Sequence, residues 1–190
     1  MRQLFAEPHV KLLGNLPYYI ASQLLLKFTK YPSPISLWLL MLQNEMARRI
    51  SAVPGTSDYG ALSLVLQLQY RVEFLRTVPA TVFVPAPDVD SAFVKIMPRG
   101  RDELLPHDPE TFFKLVRQGF SQRRKQLRNL LREEISDWDE AAAKIGFDPR
   151  ARAEELSLEQ WIALSNRTRS ATENAAGANG SAGLRGRGRK

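Results

Sequence analysis

The chain has 190 residues, 44% of them hydrophobic and 25% charged, which is the composition of a globular protein and a length for one domain or two small ones. It contains no cysteine, which excludes disulfides, thiolate zinc sites and a cysteine nucleophile and favours the cytoplasm. Its net charge is +7, its N-terminus lacks a signal-peptide pattern and its apolar runs are short, so we expect a soluble protein with no membrane partner.

Strand and helix patterns alternate through residues 1–98. Ser22 is a candidate N-cap for the first helix, which passes through Phe28. Residues 35–43 are nearly all apolar and predict a strand in a sheet covered on both faces. The last two predicted strands have only a loop between them, which predicts an antiparallel edge hairpin in an α/β sheet. The predicted strands cover residues 10–13, 35–43, 70–76 and 91–97, and the two later helices cover residues 44–52 and 61–69.

Residues 99–166 predict a small all-helical domain that contains a strongly basic segment. All seven charged residues from Lys114 to Arg132 are basic, and acidic residues follow at once. Apolar residues recur through this segment at helical spacing, so we expect a helix with one packed face and one electropositive face, although a merely solvated face is the alternative. Residues 167–190, with six basic residues and one acidic residue, predict a disordered basic tail.

The loop after the first strand carries the residue types for alkylation of an aromatic amine. Asn15, Leu16, Pro17 and Tyr18 stand where ligands bind in open α/β sheets. An Asn side-chain carbonyl and a backbone carbonyl at the rigid Leu-Pro step can accept the amine hydrogens and so localise the nitrogen lone pair. Tyr18 offers a face on which a flipped base can stack. Phe83, in a loop stiffened by Pro85 and Pro87, is a candidate for the other face. An ordinary turn is the alternative reading of this short motif.

Six segments in order resemble the ribosomal RNA adenine dimethyltransferase family. They span roughly residues 8–165 and share the order and spacing typical of that family. The segments are GNLPYYI at 14–20, QNEMARRI at 43–50, YGALS at 59–63, FVPAPDVDSA at 83–92, FSQRRKQLRNLL at 120–131 and RAEELS at 152–157.

The resemblance implies part of a Rossmann-like methyltransferase sheet followed by a helical RNA-binding domain. The implied activity transfers methyl groups from S-adenosylmethionine to two adjacent adenosines near the 3′ end of small-subunit ribosomal RNA, and it implies no metal. Asn15 and the Pro17 carbonyl would hold the target amine, and Asn15 would also contact the cofactor. Tyr18 and Phe83 would sandwich the adenine. The residues that would hold RNA phosphates are Arg123, Arg124, Lys125 and Arg128.

The implied partner is small-subunit ribosomal RNA within the pre-30S particle, and the implied full-length enzyme is a monomer. No predicted strand is followed by a Gly-x-Gly turn, which the family uses for its cofactor. We therefore expect a fragment whose first strand is the fourth of the parent sheet and which lacks most cofactor contacts. A non-catalytic RNA-binding ribosome-assembly factor is the alternative function. A DNA adenine methyltransferase is a third reading, against which the helical domain argues.

Overall fold

The computed structural model describes residues 10–17, 20–28, 35–105 and 107–168. The chain divides into two compact units, Met1–Leu105 and Pro106–Lys190. The described residues of the first unit form a four-stranded sheet and three α-helices. In chain order they are β1 (Val10–Asn15), α1 (Ala21–Phe28), β2 (Ile35–Gln43), α2 (Asn44–Ser51), α3 (Ala61–Gln67), β3 (Tyr70–Val78) and β4 (Ser91–Pro98).

The strands are arranged in the order β1-β2-β4-β3. β1 and β2 are parallel and are joined through α1, because two parallel strands need a crossover connection. β4 runs antiparallel to both β2 and β3, so the predicted edge hairpin is confirmed. The predicted cap is wrong: α1 begins at Ala21, so Ser22 is its second residue, and the carbonyl of Ile20 accepts the N–H of Leu24 at 2.9 Å.

One face of the sheet carries the core of the first unit. Trp38, Leu40 and Leu42 of β2 are buried, and they cluster with Val94 and Ile96 of β4. Helices α1 to α3 cover this face with buried side chains. The side chains that alternate with these on the strands point to the opposite face, which we call the open face.

The open face is only partly covered by the residues that the structure describes. Leu13 of β1 is 75% exposed, and Leu39 and Met41 of β2 are half-buried. The described residues cover one face of the sheet, and coverage of the other face stays a prediction.

The first unit extends past the predicted domain boundary at residue 98. The Arg99 side chain donates a hydrogen bond to the Gln67 carbonyl at 2.7 Å, and its N–H donates to the Gln69 carbonyl at 2.8 Å. Arg71 of β3 donates to Glu103 at 2.8 Å. These bonds attach residues 99–103 to the end of α3 and to β3. The boundary between the two units therefore lies between Leu105 and Pro106.

Helices are the regular secondary structure in the described part of the second unit, and turns connect them. Its first helix is capped by Asp108, whose carboxylate accepts hydrogen bonds from the N–H and hydroxyl of Thr111 at 2.9 and 2.6 Å. Phe112, Leu115 and Trp161 are fully buried in its core. The helices are α4 (Pro109–Gly119), α5 (Leu127–Leu130), α6 (Trp138–Ile145) and α7 (158–168).

The prediction of one basic helix through residues 114–132 is wrong, because α4 ends at Gly119. A Cβ at that position would lie 2.5 Å from Cη2 of Trp161 and 2.8 Å from Cδ1 of Leu127. The chain then turns through residues 120–126, which we call the basic turn, and this turn returns Leu127 to the core. The N–H of Leu127 donates to the Ala151 carbonyl at 2.9 Å and fixes the start of α5.

The predicted tail begins two residues too early. Arg167 and Thr168 are the last residues of α7, and Arg167 pairs with Asp137 and with Glu140. Residues 169–190 lie outside the described part of the chain. Within that part, no helix is both long and apolar enough to cross a membrane.

Candidate functional site

The first wall of the site is the loop that follows β1. Asn15 is the last residue of β1 and pairs with Met41 of β2. The N–H of Leu16 donates to the Met41 carbonyl at 3.2 Å, and Pro17, which has no N–H, ends the pairing. The Pro17 carbonyl accepts the N–H of Ile20 at 3.2 Å, which forms a turn into α1. The position of Asn15 is thus fixed from both sides by backbone bonds.

The second wall is the loop between β3 and β4, which carries Phe83. A short 3-10 turn, Ala80–Val82, precedes Phe83, and the peptide bond between Val84 and Pro85 is cis. Asp90 fastens this loop at two places. Its carboxylate accepts the N–H of Ala80 at 2.9 Å, and its backbone carbonyl accepts the N–H of Asn44 at 3.0 Å.

The two walls enclose a pocket with a volume of ≈ 330 Å³, at the small end of the range for small-molecule sites. The pocket brings together four of the five predicted catalytic residues, and the fifth, Tyr18, lies outside the described residues. Asn15 is exposed and Phe83 is half-buried. The lining residues are Asn15, Leu16, Pro17, Met41, Phe83, Pro85, Pro87 and Ser91.

Sequence reasoning missed Met41 and Ser91 as lining residues. Met41 looks like any apolar residue of a buried strand, and only its pairing with Asn15 brings it to the pocket. Ser91 is 1% exposed and begins β4, opposite Gln43 of β2. A small polar residue that opens a strand directly after the Phe83 loop was the available signal for Ser91.

None of the eight described residues that line this pocket has an ionisable side chain. In the described part of the chain, no group of three His, Cys, Asp or Glu residues is placed to hold a metal ion. Apolar and proline surfaces form most of the lining, and the amide of Asn15 and the hydroxyl of Ser91 supply its polar side chains. Such a pocket suits a flat, uncharged heteroaromatic ring that carries an amino group.

The predicted RNA-binding residues lie in the second unit. Arg123, Arg124 and Lys125 are exposed in the basic turn and not on a helix as predicted. Arg128 is on α5 and pairs with Asp139, the closest nitrogen and oxygen atoms being 3.3 Å apart. The turn therefore presents three adjacent cationic residues, and the positive charge of Arg128 is partly compensated.

A wider groove of ≈ 650 Å³ lies along α6 and α7 and contains none of the predicted site residues. Lys144, Glu159 and Arg167 contribute its charged groups. The hydrogen bonds of Arg167 to Asp137 and then to Glu140 raise the pKa of Arg167, and the bond from Arg167 lowers the pKa of the Asp137 carboxyl. These ion pairs join the end of α7 to the start of α6, which is a structural role.

Comparisons with known proteins show which family and which fold the chain matches. A family model described as ribosomal RNA adenine dimethylase matches residues 3–170. Ribosomal RNA small subunit methyltransferase A from Bacillus cytotoxicus and that from Bacillus mycoides are each 39% identical to the chain over 164 residues. Each alignment covers 83% of this chain and 56% of the relative, so the chain spans just over half the length of these relatives.

Two solved structures share the fold. A dimethyladenosine transferase from Plasmodium falciparum has a TM-score of 0.67 and 23% identity, with 84% of this chain and 67% of that chain covered. The 23S rRNA methyltransferase ErmE has a TM-score of 0.65 and 25% identity, with 88% and 69% covered. The predicted Rossmann-like methyltransferase fold is therefore confirmed.

Proposed function

Because the chain belongs to the ribosomal RNA adenine dimethylase family, we propose that it acts in methyl transfer from S-adenosylmethionine to two adjacent adenosines of small-subunit ribosomal RNA. The observation that supports this proposal is the pocket that joins Asn15 and Pro17 to Phe83. The proposal places the adenosines near the 3′ end of the RNA, the reaction on the pre-30S particle in the cytoplasm, and the full-length enzyme as a monomer.

In the proposed reaction, two carbonyl groups orient the exocyclic amine of adenine. The side-chain carbonyl of Asn15 accepts one amine hydrogen, and the backbone carbonyl of Pro17 accepts the other. The Pro17 carbonyl already accepts the N–H of Ile20, and its second lone pair remains for the amine. Two such bonds favour a pyramidal nitrogen whose lone pair points away from both acceptors, toward the methyl donor.

Positioning supplies most of this catalysis. S-adenosylmethionine carries an electrophilic methyl group on its sulfonium, so the protein needs neither a strong base nor a covalent intermediate. That requirement agrees with the described lining residues of the pocket, among which no side chain is ionisable. The proton of the methylated amine passes to water after transfer.

Phe83 holds the adenine ring in the orientation that these hydrogen bonds require. Stacking of a base on an aromatic side chain contributes about 1 to 3 kcal/mol. The Phe83 loop is fastened by Asp90 at both ends, so the ring is held in place before the base enters. Tyr18 as the second stacking face remains a prediction from the sequence.

The pocket suits the acceptor base better than the methyl donor. Among its described lining residues we assign only Asn15 to S-adenosylmethionine, and none of them is a carboxylate that could bind a ribose diol. In the described first unit, none of the strands is followed by a Gly-x-Gly turn. The residues present therefore account for amine orientation and base stacking.

We assign the grip on RNA to the basic turn. Arg123, Arg124 and Lys125 are adjacent and exposed, which suits contacts with several phosphates of one strand. Such contacts supply affinity and salt dependence and carry no sequence information. Arg128 contributes less in this assignment, because a phosphate must compete with Asp139 for its guanidinium.

The decisive experiment compares Asn15→Ala with Leu13→Ala in the full-length protein. Leu13 lies on the same strand and the same face, is 75% exposed, and does not line the pocket. Transfer of labelled methyl from S-adenosylmethionine to small-subunit particles is measured alongside RNA affinity, with duplex DNA as a second acceptor. We expect Asn15→Ala to abolish transfer and leave RNA affinity within about twofold, and Leu13→Ala to retain both.

Three results would contradict this proposal in different ways. Unchanged turnover in Asn15→Ala removes Asn15 from the site. RNA binding without transfer and without saturable S-adenosylmethionine binding, measured by calorimetry, supports the non-catalytic assembly-factor alternative. Preferential methylation of duplex DNA supports the DNA methyltransferase alternative.

A further inference from the structure

A row of four side chains crosses the open face of the sheet and starts in the candidate pocket. Asn15 pairs with Met41, Met41 pairs with Phe93 on β4, and Phe93 pairs with Arg76 on β3. Directly paired residues of neighbouring strands project to the same face. Asn15 and Met41 line the pocket. Phe93 and Arg76 therefore lie beside the pocket, on the next two strands of the same sheet face.

Arg76 differs from the other cations of β3 and β4. Arg71 pairs with Glu103 at 2.8 Å, and Lys95 pairs with Glu73 at 3.3 Å. Arg76 is exposed, and no carboxylate in the described part of the chain lies within ion-pair distance of it. Its charge is therefore available to an anionic ligand.

Arg76 is also held in a definite orientation. Its guanidinium carbon lies 5.7 Å from the centre of the Phe93 ring, which is cation–π distance, and the ring itself is half-buried. A guanidinium at this distance from a ring retains N–H donors, which match the oxygens of a phosphate. The pair therefore combines a cation, a fixed geometry and an aromatic surface.

We propose that Arg76 and Phe93 form a subsite for the nucleotide next to the target adenosine, with the Arg76 guanidinium on its phosphate. This inference rests on the proposed function, because it takes RNA as the ligand of the neighbouring pocket. Neighbouring strands are ≈ 4.8 Å apart, so Arg76 lies about 10 Å from Met41 across two strand spacings. That distance is within reach of a nucleotide directly bonded to the one in the pocket.

The subsite explains how a pocket whose described lining residues carry no charge retains a charged substrate. The pocket lining contributes stacking and amine hydrogen bonds, and Arg76 contributes a phosphate contact within the same unit. A phosphate contact is independent of base identity, so it serves either of two adjacent adenosines in turn.

The test compares Arg76→Gln with Arg71→Gln in the full chain. Both substitutions remove one positive charge from β3, but Arg71 is committed to Glu103. The probes are a single-stranded RNA of ten nucleotides with two central adenosines, and free adenosine. Affinity is measured over a range of salt concentrations, and circular dichroism verifies that each variant is folded.

We expect Arg76→Gln to weaken binding of the RNA about tenfold and to reduce the salt slope by about 0.7, the value for one phosphate contact on a single strand. Adenosine affinity should not change, and Arg71→Gln should stay within about twofold of the unmodified chain. Arg76→Lys retains the charge but loses the flat stack, so it should keep the salt slope while losing part of the affinity.

Equal effects of Arg76→Gln and Arg71→Gln would overturn the subsite, as would an unchanged salt slope in Arg76→Gln. The proposed function fails by a different result, namely unchanged methyl transfer in Asn15→Ala. An unmodified chain that binds neither the RNA nor adenosine would overturn both.

Discussion

Substitution of Gly119 by alanine tests whether the packing of the second unit sets the end of α4 and the start of the basic turn. The added Cβ would lie 2.5 Å from Cη2 of Trp161 and 2.8 Å from Cδ1 of Leu127. Trp161 is fully buried, stacks on Phe120 with ring centres 5.8 Å apart, and donates its indole N–H to the Ala153 carbonyl at 3.3 Å. The Trp161 side chain, which would have to move, is therefore held by both Phe120 and Ala153.

Two opposing effects determine the cost of this substitution. Replacing a helical glycine by alanine stabilises a helix interior by up to about 1 kcal/mol, and less at a last residue such as Gly119. A contact of 2.5 Å is about 1 Å shorter than the optimal carbon–carbon separation, and overpacking of this kind costs about 1 to 3 kcal/mol. We expect a net destabilisation of about 1 to 2 kcal/mol.

The assay is urea unfolding followed by tryptophan fluorescence, to which Trp138 and Trp161 of the second unit contribute. With a denaturant slope of about 1 to 2 kcal/mol/M, the midpoint should fall by roughly 1 M. Gly60→Ala is the matched control, because no atom lies within 4 Å of its added Cβ and its φ of −165° suits any residue. A Gly119→Ala variant as stable as the control would refute the reasoning.

Two further predictions concern the Phe83 loop and the end of α7. Asp90→Ala removes the acceptor for the Ala80 N–H and should weaken RNA binding several-fold by loosening the loop that carries Phe83, whereas Asp90→Asn, which keeps an acceptor, should restore it. Because the hydrogen bond from Arg167 lowers the pKa of Asp137, that bond stabilises the fold above the ordinary carboxyl pKa of about 3.8 and is lost as pH falls through the lower folded value. Asp137→Asn should thus be less stable than the unmodified chain near neutral pH in thermal unfolding, and the difference should vanish in acid; a constant difference would contradict the assignment.

The positions of the strands could be predicted because they depend on local patterns of apolar residues. The apolar run that became β2 and the alternation in β3 are visible without knowledge of any partner. The site was also predictable in outline, because Asn15 ends a strand and Phe83 sits in a proline-stiffened loop. Met41 was not, because its place in the pocket depends on strand register, which no local pattern reports.

The basic segment shows where helical periodicity fails as a guide. Apolar spacing continues past Gly119, yet the helix stops there because Trp161, far along the chain, occupies the space that a side chain at Gly119 would need. The domain boundary failed for a similar reason, since the bond from Arg99 to the Gln67 carbonyl is a long-range contact. Contacts between residues distant in sequence therefore account for both errors.

Both walls of the candidate pocket are hydrogen-bonded to one short stretch of backbone, residues 41–44. The carbonyl of Met41 holds the Asn15 loop, and the N–H of Asn44, three residues later, holds Asp90 and with it the Phe83 loop. A displacement of β2 therefore moves both walls in the same direction. The distance between the Asn15 amide and the Phe83 ring then stays nearly constant. Small movements of the whole sheet therefore leave the width of the pocket nearly unchanged. A change in the backbone where β2 meets α2, in contrast, alters the distance between the two walls directly.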